Sequence, residues 1–329
     1  RGKDDLGEVQ GGVMYYIEEG LGKKFKPLAV MFSISGFFGC TIFVQSNQLA
    51  QIIRVYFYNT NGLFKDNIFI GDLVTGFLVA CLVGTVIFGG IKRIAMVASK
   101  MVPIMVGVYL IAAIIIIGKN IFIIPDIFLL IIHDAFSGNA VAGGAIGSMI
   151  IIGVRRGLFS NEAGTGTETM AHGAAKTKEP VREGLVAMLG PFIDTIIVCS
   201  ITAIIILISG VYDQDLEGVS MTVSAFESEL GSIGKLVIMV AALTFSLSTM
   251  FGYSYYGRKC TSYLFGTKWK PVYNYFYVSM IIVASTIKLD IAINFMDSAF
   301  ALMVIPTIIS TLLLAPKVLE ESRRYFQGL

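Results

Sequence analysis

Long apolar runs alternate with short polar connections along nearly the whole chain. Eight runs have the length of membrane crossings: roughly 28–56, 68–90, 94–118, 140–160, 184–210, 233–256, 272–292 and 295–315. About 20 helical residues cross the hydrocarbon core of a bilayer, so each run predicts one transmembrane helix. The stretch 121–136 is also apolar, but it is short and carries Pro125, Asp126, His133 and Asp134. It reads as an interfacial or re-entrant helix rather than a ninth span. The pattern predicts an all-α polytopic membrane protein, with residues 1–329 forming a single transmembrane domain.

Composition strengthens this reading. The chain is 55% hydrophobic and 15% charged, with a mean hydropathy of +0.76; soluble domains carry about a quarter charged residues. The distribution of charge adds orientation. Eighteen of the 25 Lys and Arg residues fall in the N-terminal stretch, the tail and alternate connections, and five fall on the opposite side. The excess of cations on cytoplasmic loops then predicts that both termini of this chain are cytoplasmic. The four cysteines match no metal spacing and read as small core residues.

One segment breaks the pattern. "GLFSNEAGTGTETMAHGAAKT" runs from Gly157 to Thr177 and follows Arg155 and Arg156. Backbone in hydrocarbon must be hydrogen-bonded, so a helix survives interruption only inside protein or beside water. Gly157, Gly164 and Gly166 lower helix propensity, and Ser160 and Asn161 compete for backbone hydrogen bonds. We expect the helix to unwind over 159–166 and to resume as a short polar helix through Ala175. The alternative is a helix that ends at Ser160 and opens into a loop. Discontinuous helices at membrane depth mark secondary transporters, where freed carbonyls and amides bind ions and zwitterions. Charge within the bilayer is costly. One of Arg155 and Arg156 is expected to pair with Glu162, or both to reach a cytoplasmic vestibule; snorkelling at a helix end is the plainer reading.

Other polar residues lie in apolar runs. Gln45 and Gln48 share one helical face in the first run, either lining a solute cavity or bonding a neighbouring helix. The sixth run carries Ser246, Ser248, Thr249 and Tyr253 around Gly252. Ser246, Ser248 and Thr249 beside a freed carbonyl would suit a dehydrated monovalent cation. Asp194 is an intramembrane carboxylate, and so a functional candidate or a partner for a hydroxyl. Enzymatic motifs are missing: the two histidines form no HExxH, "AGTGTE" lacks the Lys-Ser/Thr of a phosphate loop, and there is no GxSxG elbow.

These residues resemble a known family. "GLFSNEAGTGTETMAHGAAKTKEPVREG", "GPFIDTIIVCSITAIIIL", "GGVMYYIEEGLGKKF", "FGYSYYGRKCTSYLFG" and "MVIPTIISTLLL" are similar to stretches of the alanine/glycine:cation symporters, also called sodium:alanine symporters. The resemblance covers essentially the whole chain. It implies a LeuT-type fold of two inverted repeats and symport of a small neutral amino acid, alanine or glycine, with Na⁺ as coupling ion and no cofactor. It places Gln45, Phe159, Thr249, Met250 and Tyr253 on the substrate cavity, with Ser246, Ser248 and Thr249 as candidate sodium ligands. Carbonyls freed around Ser160, Asn161 and Gly164 would receive the substrate ammonium. The implied partners are the amino acid, Na⁺ and the lipid bilayer, and no nucleic acid. Tyr253 stands where the family commonly has Trp, Met250 where Ile or Leu is usual, and Thr307 where Asn follows Pro. The family's first broken helix precedes "GGVMYYI", so the chain is expected to be a fragment holding core helices three to ten, without transport of its own. A proton-coupled carrier, a passive pore and a non-transporting membrane scaffold are the competing readings.

Overall fold

A computed structural model describes residues 1–136 and 145–328. The chain opens with a hairpin, β1 (Gly2–Lys3) paired antiparallel with β2 (Val9–Gln10). Asp4 shapes its turn by accepting from the amides of Leu6 and Glu8 and from the Gln10 side chain. Helix α1 (Val13–Leu21) follows, then α2 (Lys26–Gly39) and α3 (Phe43–Ile53). Helix α4 (Ile68–Ile87) and α5 (Gly90–Lys119) precede the short α6 (Ile124–Ala135). Helix α7 (Ala145–Asn161) leads to the five-residue α8 (Glu168–His172). Next come α9 (Pro180–Ser209), α10 (Val219–Leu230) and α11 (Ser232–Phe265). The chain finishes with α12 (Lys270–Thr286) and α13 (Leu289–Gln327).

Among the described residues, six helical stretches, one of them Lys23–Asn61, are long and apolar enough to cross a membrane. The two remaining expected crossings, 140–160 and 272–292, correspond to α7 and α12, each with 17 described helical residues. Residues 140–144 lie outside the described ones. The short 121–136 stretch forms the 12-residue α6, too short to span.

Three boundaries differ from the sequence reading. The first run is not one continuous helix: it breaks at 40–42, where the Thr41 hydroxyl donates to the Phe38 carbonyl at 2.5 Å. Apolar composition continues through the break, so hydropathy could not show it. The last two runs divide at 287–288 rather than near 293, and α13 continues for 39 residues despite Pro306 and Pro316. Two stretches widen to π-helix, Arg54–Tyr58 and Phe192–Cys199.

Packing centres on α2, α3, α11, α12 and α13, whose buried side chains share one apolar core. Polar groups tie the helices within it. Ser46 donates to the Ile281 carbonyl at 2.7 Å, and Asn47 to the Ile287 carbonyl at 2.5 Å. Small residues permit close approach where lipid offers no hydrophobic drive. At Gly257 an added Cβ would lie 1.8 Å from the Tyr273 hydroxyl, which donates to the Phe37 carbonyl. The hairpin is pinned to the start of α12: Asp5 accepts from the Thr267 amide and hydroxyl, and Lys270 reaches Asp4 at 3.4 Å.

The structure collects the cation-rich connections at one end. Arg1 meets the Ala175 carbonyl, Lys317 the Gly20 carbonyl, and Arg324 the Glu179 carboxylate.

Two outcomes follow from this packing. Gly257→Ala displaces the buried Tyr273 ring and costs about 1–3 kcal/mol, read as a lowered melting temperature in detergent. The hairpin anchor is acid-labile. Burial pulls the Asp4 carboxyl up, but the Glu8 and Leu6 amides and Lys270 outweigh it, so its pKa is lowered. The Thr267 amide is the main cause of lowering at Asp5. A depressed folded pKa stabilises above the unfolded value, about 3.9, and that contribution is lost as pH falls through the folded pKa. Amide exchange at Leu6, Glu8 and Thr267 is therefore expected to lose protection at about pH 3 relative to pH 6, and Asp5→Asn to flatten the change at Thr267.

Candidate functional site

The interruption after α7 begins three residues later than expected. Helix continues through Asn161, so Phe159 and Ser160 are helical, and the irregular backbone covers 162–167. Helix then resumes only over α8, stopping short of Ala175. Glu162 takes a left-handed conformation at φ 56°, uncommon for a residue with a side chain. Gly166 has φ 85°, and a Cβ there would meet Val13 at 2.4 Å and Thr307 at 2.9 Å. Glycine is required at that position by both conformation and space.

The break is held by its own side chains. The Ala163 amide donates to Asn161 Oδ1 at 2.9 Å, and the Thr165 amide to the Glu162 carbonyl at 3.1 Å. In a continuing helix those amides would close on the carbonyls of Phe159 and Asn161. Turning them elsewhere frees these two carbonyls. The Thr165 hydroxyl also donates to the Glu162 carbonyl, and Thr167 donates to the Glu162 carboxylate. The Tyr253 side chain of α11 faces the same carboxylate. From α13, Thr307 donates to the Thr165 carbonyl at 3.1 Å. Two helices, α11 and α13, thus converge on one short stretch of irregular chain.

Phe159 lies half-buried against Phe300 of α13, ring centroids 5.4 Å apart. Both line a groove of about 870 Å³, together with Arg155, Thr165, Asn294 and Asp297. Ser160 and Asn161 face elsewhere. Ser160 donates to Asp194 at 2.6 Å and Asn161 to Thr195 at 2.8 Å, both in the π-helical part of α9. Asp194 therefore serves as the acceptor for a hydroxyl, one of its two expected roles. Arg155 and Arg156 do not pair with Glu162. Both approach Asp297, at 3.8 and 2.5 Å, and Arg156 lies over the Phe159 ring at 5.8 Å. Asp297 was missed from sequence, although two intramembrane arginines require a counter-charge and Asp297 is a carboxylate in the last apolar run.

Met250 and Tyr253 are buried on α11, and Gln45 is buried on α3 with its Oε1 lacking a hydrogen-bond partner among the described residues. Gln45 follows directly on the break at 40–42. Ser246 is buried and Thr249 half-buried, one turn apart on α11. Ser248 turns away and donates to the Phe245 carbonyl at 2.8 Å. The helix is unbroken there, so the freed carbonyl expected beside these hydroxyls is not present. The Met250 carbonyl nearby accepts from Tyr277 at 2.6 Å. The structure thus joins Phe159 with the break, and Tyr253 with Glu162, but does not gather Ser246, Ser248 and Thr249 into one set.

Thr307→Val removes the hydroxyl that caps the Thr165 carbonyl while keeping the side chain's shape. It is expected to cost about 1–3 kcal/mol by thermal melting, because a buried acceptor loses its donor. Thr286→Val, at an exposed hydroxyl bonded only within its own helix, is expected to stay within about 0.5 kcal/mol.

Comparison with known proteins agrees with this architecture. The family model described as "Sodium:alanine symporter family" matches residues 1–329. An uncharacterised transporter of Haemophilus influenzae is 38% identical over 339 residues, covering 100% of this chain and 72% of its own length. The sodium/alanine symporter AgcS of Methanococcus maripaludis is 37% identical, over 98% of this chain and 70% of its own. A probable sodium/glutamine symporter of Bacillus subtilis, GlnT, is 33% identical over 98% of this chain and 66% of its own. With an irregular stretch inside an apolar helix bundle and a family match along its full length, this chain belongs to the sodium:alanine symporter family of multi-pass membrane transporters.

Proposed function

We propose that this chain contributes the amino-acid and cation site of a sodium-coupled symporter for a small neutral amino acid, alanine or glycine, built on a LeuT-type inverted repeat. The observation that carries the reading is the break at 162–167. It frees the carbonyls of Phe159 and Asn161 beside the half-buried Glu162 carboxylate. An α-ammonium needs hydrogen-bond acceptors of that kind and finds few others inside a helix bundle. Phe159 and Phe300 wall the groove next to it, and Met250 and Tyr253, buried on α11, are the further candidate walls of the substrate cavity. Gln45 supplies an unpaired amide oxygen across the core. Ser246 and Thr249 supply two hydroxyl oxygens on one face of α11 for Na⁺. The cation-rich end of the bundle is the cytoplasmic one, which puts both termini of this chain inside the cell. Since a relative is named for glutamine, the size limit is the property to measure.

In an intact transporter that contains this chain, uptake of labelled alanine by expressing cells is expected to fall to background when choline replaces Na⁺. Undiminished uptake would remove sodium coupling and leave H⁺ as the coupling ion. Phe159→Ala is expected to raise KM for alanine about 10–200-fold and to admit larger side chains, the range that a hydrophobic wall supplies. Unchanged affinity and selectivity would move the substrate away from the groove. Counterflow separates a carrier from a pore: labelled alanine accumulates against unlabelled alanine only through a carrier.

A further inference from the structure

Away from the groove, a second cavity of about 400 Å³ opens at the cation-rich end of the bundle. The hairpin, the segment after α8, the final turns of α11 and the start of α12 enclose it. Helix α11 puts Arg258 and Ser262 one turn apart, with Lys259 next to Arg258, and all three line the cavity. Lys176 and Lys270 line it too, against one carboxylate, Glu8.

The polar groups here are poorly partnered. Lys259 is 6% exposed and Ser262 7% exposed. Among the described residues, Ser262 Oγ and Arg258 Nε have no hydrogen-bond partner. The Lys259 ammonium lies 5.1 Å from the Tyr255 ring centroid, and no described carboxylate is within ion-pair distance of it. The nearby Asp4 is already held by Lys270, Gln10 and two amides. An ammonium withdrawn from water without a counter-charge is strongly unfavourable. A cavity that leaves a guanidinium, an ammonium and a hydroxyl free on one wall has the donor set of an anion site. Guanidinium and ammonium together match a phosphate's several oxygens, and basic pockets between helices at a membrane face hold lipid phosphates.

We propose that this cavity binds a phosphate group, presented either by an anionic phospholipid headgroup or by free phosphate in the adjoining water. The site is separate from the amino-acid groove, and its occupancy does not depend on transport.

The test uses delipidated protein in neutral detergent at fixed ionic strength, with the ligand-dependent rise in melting temperature as readout and native mass spectrometry as a count of bound molecules. Phosphatidylglycerol or inorganic phosphate is expected to raise the melting temperature by roughly 5 °C over phosphatidylcholine or chloride. A response to phosphatidylglycerol alone assigns the site to a headgroup; a response to both assigns it to the phosphate itself. Arg258→Gln and Lys259→Gln are expected to abolish most of the increment, and Lys178→Gln, outside the cavity, to leave it intact. Should Lys259→Gln fail to fold, Ser262→Ala keeps every charge and is expected to reduce the increment about twofold, the share of one hydroxyl among several donors. Equal responses to charged and zwitterionic lipid with none to phosphate would overturn the proposal. So would an increment undiminished in Arg258→Gln and Ser262→Ala.

Discussion

A peptide group inside hydrocarbon must find its hydrogen-bond partner within the protein, and the irregular stretches of this chain are arranged around that demand. At 40–42 the Thr41 hydroxyl turns back to the Phe38 carbonyl. At 162–167 the threonines at 165, 167 and 307 and the side chain of Asn161 take over the bonds that helix would have made. What those substitutes do not satisfy is as informative as what they do. The carbonyls of Phe159 and Asn161 lose their amides, and nothing in the break's own side chains replaces them. In the proposed carrier, that gap is where a cargo that comes and goes would bind.

Charge within the apolar runs follows a similar rule. Arg155 and Arg156 share Asp297, and Arg54 meets Asp72 at 2.5 Å. Among the described residues, Glu162 is matched by the Thr167 hydroxyl instead of by a cation. The basic cavity around Lys259 presents the converse case, donors without an acceptor.

Much of the architecture was legible in hydropathy, because crossing hydrocarbon demands long apolar runs and the chain supplies them. The short α6 and the interruption after α7 were legible for the same reason: Pro125 and three acidic or basic groups, or a run of Gly, Thr and Asn, do not sit passively in lipid. The break at 40–42 left no such mark, since Cys40, Thr41 and Ile42 are all acceptable in a membrane helix and only tertiary contacts show the bend. The π-helical turns are equally silent in sequence, because one extra residue per turn changes no residue type. Partner choice was the least accessible. Glu162 is the nearest acid to Arg155 and Arg156 along the chain, yet Asp297, far away in sequence, faces them once α13 packs beside α7. At Ser248 the residue type was right for a cation ligand, but its position on the helix turned the hydroxyl onto its own backbone.

Pro306 gives α13 a property beyond packing. It has no amide hydrogen to return to the helix one turn earlier, so the ladder is severed beside the residue, Thr307, that grips the Thr165 carbonyl. A rod notched next to its coupling pin bends where it pulls. Tilting the distal half of α13 would therefore drag the peptide at Thr165 with it, so that widening the space beside Phe300 and reshaping the loop that faces it become one mechanical event.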